Sequence, residues 1–407
     1  MNAAERFLNY VSFETTSDEE GKGSPTTSGQ RVFGEFLVKE LQEIGIVNPH
    51  IDENGYVYGF LPASAGRESE PAIGMIAHMD TAPDVSGKDV RPAVVRCTGE
   101  DIPLGGGAVL SVARFPALRD YIGQELIVTD GTTLLGADDK AGIAEIVTAC
   151  EYLLKHREVS HRAVALCFTP DEEIGSGADL LNLDAFPAKE AYTVDGGELG
   201  EIEYENFNAA SARVTVHGVN IHPGSAKNRM KNAVLLATEF VSMLPPAETP
   251  AHTEGYEGFY HVSDLHGCES EALVKLLVRD HDRASFERRK AFLTNLCAYL
   301  NGVYGEGTFE LSLTDSYYNM KEKILPHIHL IQNAEAAMRA CGVEPKIVPI
   351  RGGTDGARLS FRGLPCPNLS TGGVNFHSIH EFIPIPALEA MTRVLITLAK
   401  GQFETKE

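Results

Sequence analysis

The chain has 407 residues, 43% hydrophobic and 23% charged, and its 35 Lys and Arg against 57 Asp and Glu leave a net charge of −22. This composition belongs to a folded chain of about two or three domains and excludes a disordered, collagenous or coiled-coil protein. The charge opposes nucleic-acid phosphates and anionic lipid, so neither is expected as a partner, while the surplus of carboxylates suits divalent cations. In chain order, the first predicted element is an amphipathic helix from Ser28 to Ile46, N-capped by Ser28. There Val32, Phe33, Phe36, Leu37, Leu41 and Ile44 recur at three- and four-residue spacing. Continuous apolar runs at Ala72–Ala77, Ala163–Phe168 and Ala191–Val194 predict strands buried on both faces, with a helix at Ala141–Leu154 between the first two. Strands alternating with helices argue for an α/β layered domain, whose active residues gather beyond the carboxyl ends of the strands.

A different pattern begins near Ala209. Strands are predicted at 211–216, 256–266, 272–279 and 308–313, with helices at 228–244 and 284–304. The order βαββαβ is the ferredoxin-like split pattern, complete within 209–316. Helix 327–341, strand 346–350 and helix 386–400 then resume the α/β alternation. Lys22–Ser28 and the run Leu104–Ala108 are expected to be loops, the glycine run lacking the Gly-Lys-Ser/Thr of a phosphate loop.

Acids and histidines fall at the predicted strand ends. His78-Met79-Asp80 follows the first buried strand, and residues two apart in an extended segment share a face. Gly136-Ala-Asp138-Asp139-Lys140-Ala-Gly142 opens a helix. Asp171-Glu172-Glu173 and Asp195-Gly-Gly each follow a strand, and Asn375-Phe-His377-Ser-Ile-His380-Glu381 comes late. Each has an ordinary reading: a satisfied histidine, a capped helix, a solvated turn. Their coincidence at successive strand ends points instead to one site. Two histidines and several carboxylates suit two divalent ions sharing a bridging carboxylate, an arrangement fitted to hydrolysis.

Taken together, these motifs resemble the co-catalytic dizinc aminopeptidase and deacylase superfamily. The stretches 203–210, 253–261, 315–320 and 350–356 are most similar to its aminotripeptidases. The resemblance covers essentially the whole chain. It implies a zinc-peptidase-like α/β/α sandwich catalytic domain from 1–208 and 317–407, with 209–316 inserted as a ferredoxin-like lid. It implies two Zn2+ ions, which Co2+ or Mn2+ can replace. His78 and Asp195 would hold one ion, Glu173 and His377 the other, and Asp138 would bridge them, with a cis peptide after that acid. Asp80 would orient His78, and Glu172 would be the general base. His222, Arg279, Arg351 and Asn206 are implied as substrate contacts, His222 toward the scissile carbonyl and the arginines toward the peptide carboxylate. His380 is left out of the ligand set and read as a surface histidine.

The activity implied is release of the N-terminal residue from tripeptides. The alternatives are a dipeptidase, carboxypeptidase or N-acyl amino acid deacylase of the same architecture, or a metal-binding protein without catalysis, which an intact Glu172 opposes. The partner expected is a small peptide; the resemblance also admits a homodimer. Seven scattered cysteines without a Cys-x-x-Cys pair, no basic-then-apolar start and no apolar run of ~18 residues lead to a cytoplasmic expectation.

Overall fold

The computed structural model describes residues 1–401. The chain divides into two compact units: Met1–Tyr204 with Glu322–Val348 and the chain from Thr354 onward, and Glu205–Lys321 with Pro349–Gly353. The first unit opens with α1 (Ala3–Tyr10), α2 (Ser28–Ile44), the hairpin β1 (Val47–Ile51) and β2 (Val57–Leu61), and β3 (Ile73–His78). There follow β4 (Ala93–Arg96), the short pair β5 (Ile102–Pro103) and β6 (Val109–Leu110), β7 (Glu125–Val128) and α3 (Ala137–Lys155). Strands β8 (Val164–Thr169), β9 (Ala191–Gly196) and β10 (Glu201–Glu203) complete this part.

The second unit contains β11 (Asn208–His217), α4 (Ala233–Ser242), β12 (Phe259–Gly267), β13 (Glu271–Asp280), α5 (Arg283–Tyr304) and β14 (Phe309–Tyr317). The chain ends with α6 (Lys321–Ile324), α7 (His329–Ala340), β15 (Lys346–Ile347), α8 (Asp355–Phe361), β16 (Asn368–Ser370), β17 (Phe382–Pro384) and α9 (Ile385–Lys400).

The main sheet has the order β1-β2-β8-β3-β9-β16-β10-β15. Its centre, β8-β3-β9-β16, is parallel. β3 and β8 are buried at every position, as continuous apolar strands under helices on both faces should be. α3 lies against β3 and β9 and is flanked by α1 and α9. Its close approach depends on Gly142, where a Cβ would collide with the carbonyl oxygen of Val194. The second unit is an antiparallel sheet, β12-β13-β11-β14, in βαββαβ order. Alternate residues of β13 (Ala272, Val274, Leu276, Val278) bury against Phe240 of α4 and Phe286, Leu293 and Leu300 of α5. Each of the Val, Leu and Phe side chains contributes about 1.5–3 kcal/mol when fully buried.

Several boundaries differ from expectation. Ser28 is the first helical residue of α2; Thr27 occupies the cap position, with its hydroxyl donating to Thr16 O at 2.9 Å. The helix expected from 228 begins at Ala233. Asn228 is left-handed at φ 58, and Asn232 caps the helix by accepting from Leu235 N at 3.2 Å. Also not anticipated were α1, whose Asn2 and Glu5 form a capping box, and the antiparallel sheet β17-β7-β4. Strands of three or four residues carry too few alternations to be seen by periodicity.

Candidate active site

Parallel strands β3, β8 and β9 end on one edge of the sheet, and their carboxyl ends deliver His78, the turn Asp171–Glu173, and Asp195. Asp138 comes from the start of α3. Gly136, left-handed at φ 82, precedes that helix, and the Glu381 carboxylate holds the turn. Glu381 accepts the backbone N–H groups of Leu135 (2.7 Å), Gly136 (3.0 Å), Ala137 (2.7 Å) and Asp138 (3.3 Å). The Asp138–Asp139 peptide bond is cis. The two acids face opposite ways: the Asp139 carboxylate accepts from His78 N at 3.1 Å and Gly142 N at 3.3 Å, which leaves Asp138 facing the imidazoles.

Asp138 is the centre of the cluster. Its Oδ1 lies 2.9 Å from His78 Nε2, and its Oδ2 lies 3.4 Å from His377 Nε2. Asp195 Oδ1 joins His78 Nε2 at 3.2 Å, and Glu173 Oε2 joins His377 Nε2 at 3.0 Å. The five side chains thus form a His78–Asp195 end and a Glu173–His377 end with one carboxylate between them. His377 sits in a left-handed turn at φ 57, its Nδ1 3.3 Å from Asp84 Oδ2. His78 Nδ1 is 3.1 Å from the backbone carbonyl of Asp80 and 3.3 Å from its Oδ1. Asp80 does more than face His78, because its two oxygens accept Glu172 N (3.0 Å) and Glu173 N (3.1 Å).

The loop bearing both glutamates is held from its other side as well. Asp171, left-handed at φ 58, accepts from Thr26 N, Thr26 Oγ1 (2.5 Å) and Gln30 Nε2 (2.7 Å), while its own N–H donates to Gln30 Oε1. Glu172 accepts Asp355 N at 3.2 Å and comes within ligand range of His78 and Asp195.

The electrostatics show a site short of positive charge. Burial, then repulsion from Asp138, raises the Glu173 carboxyl to about 7, although His377 opposes it. Burial likewise raises Asp195 to about 8, against the pull of His78. Glu172 is pushed well above its ordinary value by burial and by Asp195 and Asp355. For the histidines the balance is reversed. Burial disfavours the His78 cation, but Asp195, Asp138 and Asp80 outweigh it, and Asp138 and Glu173 raise His377 to about 11. Glu173 Oε1 is buried without a hydrogen-bond partner among the described residues. Crowded carboxylates, two imidazoles, an orphaned carboxylate oxygen and no thiolate fit a pair of divalent cations. Two sets of donor atoms, His78 with Asp138 and Glu173 and His78 with Glu172 and Asp195, each lie within 4.8 Å of one another.

The four expected substrate contacts belong to the second unit. His222 is exposed at the start of a turn, its Nδ1 accepting Gly224 N at 3.2 Å. Arg279 donates to Arg351 O at 3.2 Å, and its Nε is buried without a partner among the described residues. The Arg351 guanidinium is committed to the loop 253–257, donating to Thr253 O and Oγ1, Gly255 O and Glu257 O. The expectation for Asn206 is corrected. It is fully buried, its amide donating to Phe207 O and Tyr318 O and accepting from Met320 N, so no donor remains for a substrate. His380 is also not a surface residue: it is buried, its ring 5.0 Å from that of Phe115.

Sequence reasoning passed over three supporting acids. Asp355, four residues after Arg351, accepts from Thr169 Oγ1 at 2.9 Å and lends its N–H to Glu172. Glu203 accepts from Asn368 Nδ2 at 2.6 Å, and Asn368 Oδ1 accepts Asp195 N at 3.2 Å. Glu381 stood in a motif without a role. Nothing local marks these acids, because each acts on a segment distant in the chain.

A family model described as peptidase family M20/M25/M40 matches residues 129–401. A Peptidase T from Caldanaerobacter subterraneus subsp. tengcongensis is 54% identical over 399 residues, 97% of each chain. The fold is also that of an aminopeptidase PepT from Bacillus cereus (TM-score 0.77, 21% identity) and a tripeptidase from Staphylococcus aureus (TM-score 0.79, 20% identity). Both comparisons cover 98% of this chain and 97% of the other.

Proposed function

The chain belongs to peptidase family M20/M25/M40, and on that premise we propose that it is a metal-dependent aminopeptidase releasing the N-terminal residue of tripeptides. The observation that carries the reading is the Asp138 carboxylate, whose two oxygens face two different imidazoles while Glu172 stands beside the cluster. The substrate class is supported by the Peptidase T relative and by the tripeptidase and aminopeptidase of like fold.

His78, Asp195 and Asp138 would hold one ion and Asp138, Glu173 and His377 the other, with zinc as the resident metal and cobalt or manganese as substitutes. Ions held by these residues would supply Lewis acidity and lower the pKa of a bound water toward neutrality. Glu172 is the general base: its carboxylate takes a proton from the attacking water and delivers it to the departing amine. Asp80 fixes the loop that aims Glu172, and Asp355 N–H holds one oxygen of that carboxylate in place. His222 and Arg279 are the proposed contacts for the scissile carbonyl and the peptide carboxylate. All seven cysteines are free, in keeping with a cytoplasmic enzyme, and no helix among the described residues is long and apolar enough to cross a membrane.

A panel of free, N-acetylated and C-amidated di-, tri- and tetrapeptides, with metal content measured on the same sample, tests the reading. Free tripeptides should be cleaved best, and chelation should abolish turnover until zinc or cobalt is returned. Preference for acetyl amino acids would transfer the chain to the deacylases, and full activity in a verified metal-free sample would end the dimetal reading.

A further inference from the structure

Away from this cluster, Glu190, His327 and His329 form a second convergence of ligand-type side chains. Glu190 immediately precedes β9, His327 ends the turn Leu325–His327, and His329 opens α7. His327 Nδ1 lies 2.8 Å and His329 Nε2 3.0 Å from the same oxygen, Glu190 Oε1. Asp195 stands at the other end of β9, five residues on, so the two groups are about 16 Å apart at ~3.3 Å per extended residue.

We propose that Glu190, His327 and His329 form a separate binding site for one divalent transition-metal ion of the zinc, cobalt or nickel class. Two imidazoles and one carboxylate are the donors that zinc takes when a water completes its coordination. Ligand bonds of ~2.0–2.1 Å in a tetrahedral site put donor atoms about 3.4 Å apart, so the observed 2.8 and 3.0 Å need only small ring rotations. All three side chains are partly exposed, at 26%, 37% and 50%, which leaves a path for the ion and room for water. The two segments are already joined without an ion, since the buried Tyr192 hydroxyl donates to Leu330 O at 2.7 Å and fixes the first turn of α7 against β9. Little conformational entropy is left to lose on binding. Burial would raise the Glu190 carboxyl, but hydrogen bonds from His329 and His327 prevail and hold it below its ordinary value, so it is ionised at neutral pH. The net charge of −22 favours cation capture. An ion here would tie α7 to β9 and take no part in catalysis.

The test is a zinc titration at neutral pH of the wild-type enzyme, His329→Leu, Glu190→Gln and His78→Ala, with bound ions counted by equilibrium dialysis and elemental analysis. Wild type should bind one ion more than His329→Leu or Glu190→Gln at saturating free zinc, and those two variants should keep peptide hydrolysis unchanged. His78→Ala should retain the extra ion although it loses metal at the active site, so the count does not depend on the proposed function. Zinc should also raise the Tm of wild type by more than that of His329→Leu. Equal ion counts in wild type and both variants would overturn the proposal and leave Glu190 as a hydrogen-bond acceptor alone.

Discussion

Asp80 Oδ1 accepts the backbone N–H of Glu172 at 3.0 Å, while Oδ2 takes the N–H of Glu173 at 3.1 Å. One buried carboxylate at the end of β3 therefore sets the position of a loop that begins at the end of β8. The same carboxylate also lies 3.3 Å from His78 Nδ1. Asp80→Ala should lower kcat by ~10–100-fold, the usual worth of a residue that orients ligands from behind. A metal titration beside the kinetics separates lost ions from a displaced Glu172.

The two adjacent glutamates should fail differently. Glu172→Gln keeps the shape and loses the base, so both metals should remain while turnover falls ~10²–10⁴-fold. Glu173→Gln should lose or weaken one ion, with activity partly recovered at high metal. Elemental analysis of both variants decides. Metal loss from Glu172→Gln alone would reverse the roles.

Glu381 accepts four consecutive backbone N–H groups, so its removal leaves buried donors at Leu135–Asp138 without a partner. Glu381→Leu should cost about 2–4 kcal/mol in denaturant unfolding and weaken metal binding through Asp138. An unchanged midpoint would show that the turn holds itself.

Asp171 is stapled to α2 through Gln30 and to the segment just before it through Thr26. Gln30→Ala should loosen the glutamate loop and lower kcat by about tenfold with little change in KM. Steady-state kinetics on a tripeptide reads this directly. A rise in KM alone would place the loop in substrate binding instead.

The pH dependence of stability should carry the mark of Glu151. Burial would raise this carboxyl, but Lys155 at 2.6 Å and the buried Arg6 at 2.7 Å pull it down to about 2. A depressed carboxyl stabilises the fold above its unfolded pKa, and that contribution is lost as pH falls through the folded value. Glu151→Gln should therefore cost about 1–2 kcal/mol near pH 7, and the gap to wild type should close between about pH 4.5 and pH 2. Urea unfolding across that range measures it.

By itself the sequence determined the candidate residues of the site and the strands that carry them. Continuous apolar runs ending in His78, Asp171–Glu173 and Asp195 are local patterns, and a buried parallel strand places whatever follows it at the sheet's edge. The βαββαβ order was legible for the same reason, since each element carries its own periodicity. The family resemblance implied Asp138 over its neighbour, but only tertiary structure shows the physical reason: Asp139 is claimed by the backbone of His78, 61 residues away. It likewise turned Asn206 inward to Met320 and set Glu381 on a turn some 243 to 246 residues earlier. It also gathered Glu190, His327 and His329 from segments 137 residues apart. Hydrogen bonds to a distant backbone leave no period in the chain, so a carboxylate that supports a turn and one that binds an ion look alike until the strands are paired.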